Sequence, residues 1–325
     1  MSAESIQIRY SDQYEAFARL WMPPAVSSSS SVLPASVPPS PDSSAQNKEA
    51  AAIKEADTSK GPKGAILYLH GIQSHGGWFE ASAQRLAEAG YVVLLPDRRG
   101  SGRNAQDRGH AVSAQRLLRD VAECCDELHV RTGVERVGLL GVSWGGKLAM
   151  AFYNQSPSRV ASLTLIAPGL FPKVDLPVRE KLRVVYSALF DPQRRFDIPL
   201  QQAELFTENP ARQAFIRADA LTLRQVTASF LIASRRLDGL AQRVSERTVH
   251  VPMSLFLAGQ DRIIDNARTR QFIEQLRVEQ LGAEQSTKAQ RCIIEYPQAH
   301  HTLEFEPQPE PFFADLVAAV ANAAK

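Results

Sequence analysis

Three kinds of polar residue stand in an order suited to acyl chemistry. Ser143 lies in Gly141-Val142-Ser143-Trp144-Gly145, directly after the apolar run that starts at Val137. Gly-x-Ser-x-Gly between a strand and a helix is a sharp turn that lifts the serine hydroxyl clear of a sheet. Side chains at positions 141 and 145 would collide in so tight a turn, which is the reason for glycine there. A helix starting just after Ser143 aims its free N–H groups and positive dipole end at a developing oxyanion. A serine hydroxyl is a weak nucleophile at neutral pH. It needs a base to take its proton and a carboxylate to orient that base. With this turn the three arrive in the order serine, carboxylate, histidine. Asp261 follows the apolar run Val251 to Ala258 and is the candidate carboxylate, while Asp265 has the place of a helix cap. His300 and His301 follow the last apolar run, Arg291 to Tyr296. His301 is the favoured base, with His300 as a packing or hydrogen-bonding neighbour. The second oxyanion donor is expected from His70-Gly71-Ile72, so that the N–H groups of Ile72 and Trp144 converge on one oxygen.

Two rival readings of the same residues fit less well. Gly141 to Lys147 also matches the phosphate-cradling pattern Gly-x-x-x-x-Gly-Lys, but that loop needs Ser or Thr next to hold magnesium, and Leu148 stands there. His70 and His75 lack Cys, His or Asp partners at metal-ligand spacing, so neither a metal nor a cofactor is expected. The turn Asp97-Arg98-Arg99-Gly100-Ser101-Gly102 reads as structural, a charged strand end followed by tight backbone.

The elements that must position these residues alternate along the chain. Residues 1–24 read as an antiparallel hairpin at a sheet edge, from the alternation of Ile6, Ile8 and Tyr10 and again from Tyr14 to Trp21. Residues 25–62, with Ser27 to Ser31 unbroken and then Pro34, Pro38, Pro39 and Pro41, read as a disordered Ser/Pro-rich insertion, a tolerated surface loop rather than a partner-binding arm. Residues 63–170 carry apolar strands at Ala65–Leu69, Tyr91–Leu95, Arg136–Val142 and Ala161–Ala167. Between them lie helices from Phe79 to Ala89, stopped by Gly90, and from a Ser113 cap to His129. Residues 171–250 break this rhythm and read as helical, with Leu223, Val226, Phe230, Ala233, Leu237 and Leu240 on one face. Placed over the strand ends, they would form a cap or lid. Residues 251–325 resume with a strand to Ala258, a helix over Asn266–Val278, a strand at Arg291–Tyr296 and a closing helix over Pro311–Ala324. Apolar strands alternating with helices imply an α/β fold, a mostly parallel central sheet with helices on both faces. In such a sheet ligands sit beyond the carboxyl ends of the strands, where His70, Asp97, Ser143, Asp261 and His301 all fall.

Composition excludes several function classes. Thirty-seven Lys and Arg against 35 Asp and Glu give a formal net charge of +2, too little for a general nucleic-acid or anionic-membrane field. Cys124, Cys125 and Cys292 make no disulfide framework, and the N-terminus has no leader pattern, so a soluble, cytoplasmic setting is expected. No run is long enough to span a bilayer.

Together these motifs resemble the α/β-hydrolase superfamily, and within it the monoacylglycerol lipase, lysophospholipase and serine aminopeptidase-like group. His70-Gly71-Ile72-Gln73-Ser74-His75-Gly76-Gly77-Trp78-Phe79 is similar to that group's His-Gly-x-x-x-His oxyanion loop. Asp97 to Gly102 is similar to its Asp-x-Arg-Gly-x-Gly turn, and Ala299-His300-His301-Thr302-Leu303-Glu304-Phe305-Glu306 to its terminal histidine segment, a register that implies His301 as base. The stretch from Phe206-Thr207-Glu208-Asn209-Pro210 onward resembles the group's helical cap. Trp144 stands where the group commonly has Met. The resemblance implies hydrolysis of a hydrophobic or lipid-like acyl ester through an acyl-enzyme; the apolar face at 223–240 is expected to pack against the rest of the protein, with transient contact to a membrane surface as the alternative. The same three residues would also serve a peptidase or amidase, and a hydrolase-fold binding protein without turnover is the third reading. Nothing in the sequence specifies the oligomeric state.

Overall fold

The computed structural model describes residues 2–24, 61–246, 248–278 and 291–323. Residues 25–60 of the expected Ser/Pro-rich insertion lie outside this set. Strands β1 (Glu4–Arg9) and β2 (Glu15–Trp21) form the expected hairpin. Then follow β3 (Ala65–Leu69), α1 (Glu80–Glu88), β4 (Val92–Pro96), α2 (Ala114–Thr132), β5 (Val137–Val142), α3 (Trp144–Gln155) and β6 (Val160–Ile166). The next segment holds α4 (Val178–Phe190), β7 (Arg195–Asp197), α5 (Pro210–Ala218), β8 (Gln225–Thr227), α6 (Ala228–Gln242) and β9 (Thr248–Val249). The chain closes with β10 (Met253–Ala258), α7 (Asn266–Gln275), β11 (Arg277–Val278), β12 (Arg291–Tyr296) and α8 (Glu310–Ala323).

Eight strands make one sheet in the order β1-β2-β4-β3-β5-β6-β10-β12. Only the β1–β2 and β2–β4 pairings are antiparallel; the other five are parallel. The chain leaves β3 for β4 on one side and then crosses back to β5 on the other. Right-handed crossovers therefore put α1 on one face and α2 and α3 on the opposite one. At its return α8 packs on α1. Direction reverses between β3 and β5, and the crevice beyond their carboxyl ends is where such a sheet binds ligands. Strands β3 and β4 are buried along their whole length, which is why they read as unbroken apolar runs.

Helix ends follow side-chain chemistry that is visible in the sequence. Ser113 accepts from the Arg116 N–H to start α2, and Gly133 at φ 73° ends it one turn beyond the expected His129. Asp265 caps α7 through the Arg268 N–H, the role expected of it.

Three expectations are corrected. Residues 171–250 are not helical throughout, because β7 and β8 pair as a short antiparallel ribbon. Leu223 and Val226 therefore precede α6 rather than extend its stripe, although both are buried with Phe230, Ala233 and Leu237. Helix α7 stops at Gln275, and Arg277–Val278 pairs with β9 instead of continuing the helix to Val278.

The glycines around the serine turn are held by contact with backbone. A Cβ on Gly145 would lie 2.1 Å from the Leu69 carbonyl oxygen, and one on Gly141 2.5 Å from that of Gly145. Gly239, on the exposed side of α6, would meet nothing within 4 Å. Gly145→Ala is thus expected to lose on the order of 4 kcal/mol, the range of severe lesions. Gly239→Ala should gain about 0.5–1 kcal/mol from helix propensity. Urea unfolding of both variants checks the pair.

Candidate active site

Each sequence-selected residue takes its position from a strand end. Ser143 follows β5 with φ 53° and ψ −122°, a backbone conformation that a side-chain-bearing residue rarely adopts. Its N–H donates to the Ile166 carbonyl at 2.9 Å, and its own carbonyl accepts from Gly146 at 2.9 Å and Gly169 at 2.7 Å. The turn is therefore anchored to the end of β6 as well as to α3. Gly71 lies directly against it, since a Cβ there would be 3.4 Å from the Ser143 Cβ.

Asp261 and His301 meet because β10 and β12 are neighbours in parallel register. Gly259 N–H donates to Tyr296 O at 2.8 Å, and Gln260 N–H to Ala299 O at 2.9 Å, which zips the two following loops together. One Asp261 oxygen accepts the Ile263 and Ile264 N–H groups at 2.7 and 2.9 Å. The other lies 2.7 Å from His301 Nδ1, with the carboxylate wholly buried. Burial raises the Asp261 pKa, but the His301 ring and the two N–H groups outweigh it and hold the carboxyl below its ordinary range. An ionised Asp261 keeps a proton on Nδ1 and leaves Nε2 as the free lone pair of the neutral ring. That Nε2 is buried and has no hydrogen-bond partner among the described residues.

Ile72 follows β3 and Trp144 opens α3 directly after β5, so their backbone N–H groups belong to the two segments that flank the β3–β5 crevice. His70 explains how the first of these loops keeps its shape. The Arg98 N–H donates to His70 Nε2 at 2.8 Å, so the ring proton is on Nδ1, 2.8 Å from Gly71 O. Burial, seconded by Arg98, drops the His70 pKa to about 3, so it is a neutral pin. His75 is also a brace: Nδ1 accepts from Gly77 N–H, and Nε2 lies 2.9 Å from Asp219. Asp219 also takes the Trp78 indole N–H at 2.9 Å. Burial works against its ionisation, yet these donors keep its carboxyl far below the usual range. Asp97 is fully buried and accepts from Gly76 N–H, Arg19 and Arg103 N–H, the structural part expected of it.

Sequence reasoning missed Asp219 and Glu304, because neither sits in a motif. Asp219 lies in the segment between β6 and β10, and only three-dimensional contact links it to His75. Glu304 has a weak local signal, standing three residues after His301. Among the described residues, Glu208, His300 and Glu306 form the set able to offer ligand atoms to a cation, all within 4.8 Å of one another. His300 Nδ1 lies 3.7 Å from Glu306 Oε2, too far for a hydrogen bond, and has no hydrogen-bond partner among the described residues.

A family profile described as serine aminopeptidase, S33, matches residues 60–308. The chain belongs to that family. Among curated relatives, a monoacylglycerol lipase of Mycolicibacterium smegmatis is 23% identical over 274 residues, 80% of this chain and 89% of that one. A phospholipase of Bacillus subtilis is 25% identical over 255 residues, 78% of this chain and 93% of that one. Among solved structures, a soluble variant of the Saccharomyces cerevisiae monoglyceride lipase, in complex with a substrate analog, superposes with a TM-score of 0.73 at 15% identity. That match covers 100% of this chain and 97% of the yeast one. The fold is the α/β-hydrolase fold, as this family membership and the sheet order require.

Glu304 gives the site's surroundings a pH dependence. It is wholly buried, accepts from the Ala81 and Ser82 N–H groups at the start of α1 and from the Ser82 hydroxyl, and burial pushes its carboxyl up to about 7 despite those donors. An unfolded glutamate titrates near 4.3. Between these values the folded chain holds the extra proton. The stabilising contribution is therefore complete below about 4.3 and is lost as pH rises through about 7. Relative to Glu304→Gln, the native protein is expected to lose melting temperature by a few degrees from pH 5 to 8. Parallel pH profiles of the two proteins would refute this.

Proposed function

We propose that this chain is a serine hydrolase that cleaves carboxylic esters of hydrophobic, lipid-like acyl substrates through an acyl-enzyme. The observation that carries the reading is the buried Asp261–His301 pair at 2.7 Å, its Nε2 unclaimed, in a chain whose serine turn opens on the same sheet edge. Ser143 Oγ attacks the acyl carbon while His301 Nε2 takes the hydroxyl proton and Asp261 stabilises the imidazolium. The carbonyl electron pair moves onto oxygen, where the Ile72 and Trp144 N–H groups receive it. Collapse expels the alcohol, protonated by His301. Water, deprotonated by the same ring, then attacks the acyl-enzyme and regenerates Ser143. A peptidase or amidase reading is favoured by the family's description alone. A specific surface feature favours lipid esters.

That feature lies in residues 171–250, which we read as a cap. Val178, Leu182, Val185, Tyr186 and Leu189 recur at helical spacing on one side of α4, followed by Phe190, and each is 53–74% exposed. Only Val184 and Ser187 of that helix are buried. Arg179, Lys181 and Arg183 flank the apolar side. An apolar helix face edged by cations suits the headgroup–acyl boundary of a lipid aggregate, where it would place the cap against its substrate. No helix among the described residues is long and apolar enough to cross a membrane, so the contact would be with the surface.

Ser143→Ala is expected to abolish both p-nitrophenyl ester turnover and fluorophosphonate labelling. A purified variant that keeps its rate would end the proposal, and aminoacyl anilides cleaved in preference to monoacylglycerols would move it to the amidase reading. Leu182→Asp with Leu189→Asp should lower co-sedimentation with phosphatidylglycerol vesicles and turnover of dispersed monoacylglycerol about ten-fold. Turnover of soluble p-nitrophenyl butyrate should be unchanged.

A further inference from the structure

Arg98 occupies a position that the serine chemistry above does not use. It is buried, and among the described residues no carboxylate pairs with its guanidinium. Its Nη2 donates to the Ile72 carbonyl at 3.0 Å and its Nη1 to the Arg99 carbonyl at 3.3 Å, while Nε has no partner among the described residues. The guanidinium carbon lies 4.9 Å from the Trp144 ring centre and 4.8 Å from that of Phe230. Those two rings stack at 5.4 Å, so cation, indole and phenyl form a nearly equilateral triangle. The indole is also fixed at its other end, where Nε1 donates to Ser234 Oγ at 2.9 Å. The Arg98 main chain is equally constrained. Its N–H is on His70 Nε2, and its carbonyl accepts from the Ser101 N–H and hydroxyl at 2.9 and 2.8 Å.

We propose that Arg98 is a positioning residue for the oxyanion hole: one guanidinium holds the Ile72 carbonyl, in the peptide unit next to the one that carries the Ile72 N–H, and lies against the Trp144 indole, so that both donor residues are restrained by the same cation. This rests on the serine-hydrolase reading, in which those two N–H groups bind the oxyanion. The peptide units carrying them come from loops after different strands, β3 and β5, with no covalent or direct hydrogen-bonded link between them. An oxyanion hole contributes only when its donors are aimed at the same point before charge develops. A rigid planar fork that donates to a carbonyl while its face meets an aromatic ring suits this task better than a flexible ammonium. Burial pulls the Arg98 pKa down only to about 10, so the cation persists at neutral pH.

Arg98→Met and Arg98→Lys test this. Both are compared with the native protein for kcat and KM on p-nitrophenyl butyrate. The third measurement is affinity for an alkyl trifluoromethyl ketone, whose carbonyl carbon Ser143 Oγ joins as the carbonyl electron pair becomes an oxyanion. Active-site concentration is set by fluorophosphonate titration to completion, so that misfolded protein does not count. Met is expected to lower kcat about ten- to a hundred-fold, with KM changed less than about three-fold, and to weaken the ketone by the factor lost in kcat. Lys, which keeps the charge but not the fork, should fall between Met and native. A role confined to packing would lower the melting temperature and leave kcat per active site and ketone affinity within about two-fold, which overturns the proposal. Should the Met variant not fold, the Lys variant alone decides, because unchanged kcat and ketone affinity in it overturn the proposal equally. Ser143→Ala run alongside separates the two claims: activity surviving there sinks the hydrolase reading. A dead Ser143→Ala beside an unimpaired Arg98→Met sinks only the role of Arg98.

Discussion

The structure turns on a stretch of backbone too crowded for side chains. Ser143 keeps φ 53° and ψ −122° because its N–H is taken by Ile166, its carbonyl by Gly146 and Gly169, and Gly141 and Gly145 admit no Cβ. Such a conformation costs of order 1–3 kcal/mol, and it persists only where several neighbours determine it at once. Here the neighbours are the ends of β3, β5 and β6. The same crowding that strains the serine also presses Gly71 against it and sets the loop after β3 across the crevice. A sheet of parallel strands buried on both faces provides the rigidity to hold this arrangement.

Around that turn the protons are assigned by hydrogen bonds rather than left to solvent. Asp261 fixes the proton of His301 on Nδ1, and the Arg98 N–H fixes that of His70 on Nδ1. The two histidines thus share a tautomer for opposite ends. His301 has its second nitrogen left unclaimed, while His70 has its second nitrogen occupied by backbone, so that it can neither titrate near neutrality nor move. Of His70 and His301, only the latter has a ring nitrogen with no partner among the described residues.

Much of this was legible in the sequence, and the reason is local. The strand at Ala65–Leu69, the last strand at Arg291–Tyr296, the Ser113 and Asp265 caps and the strand-end positions of Ser143, Asp261 and His301 depend on periodicity and on short-range steric rules. Those survive in any tertiary context. The β7–β8 ribbon was not legible, because its two strands are three residues each and pair across the whole of α5, so no period has room to develop. The end of α7 at Gln275 was masked because Leu276 still falls on the apolar face of Phe272 and Ile273, and only pairing with β9 diverts the chain after it. Arg98 gave a misleading signal. In the sequence it is half of a basic dipeptide in a tight turn, yet Arg99 finds Asp120 and Asp12 while Arg98 turns inward to carbonyls and rings. Neighbours of the same type took opposite fates through contacts far away in the chain.

The packing also restricts where the segment between β6 and β10 can give way. Helix α6 cannot leave without disturbing the serine turn: Ser234 holds the Trp144 indole, Phe230 stacks on it, and Lys147 of α3 pairs with Asp238 at 2.6 Å. The end of α5 is tied just as closely, since Asp219 binds His75 and Trp78, and the Leu223 N–H donates to Gln73 O at 2.9 Å. Helix α4 has weaker anchorage. Its buried apolar contact is a small cluster of Val184 with Phe196 and Ala228, apart from the main core, and prolines at 177 and 192 bracket it. Burying a side chain the size of Val stabilises by about 1.5–3 kcal/mol, and cooperative openings start in regions with few such contacts. A displacement of α4 alone would leave the contacts of Ser234 and Phe230 with the Trp144 indole in place. One that carried α6 along would separate Trp144 from the ring and the hydroxyl that hold it. The helix with the exposed apolar side is thus not one of those that hold the serine turn and the residue after it.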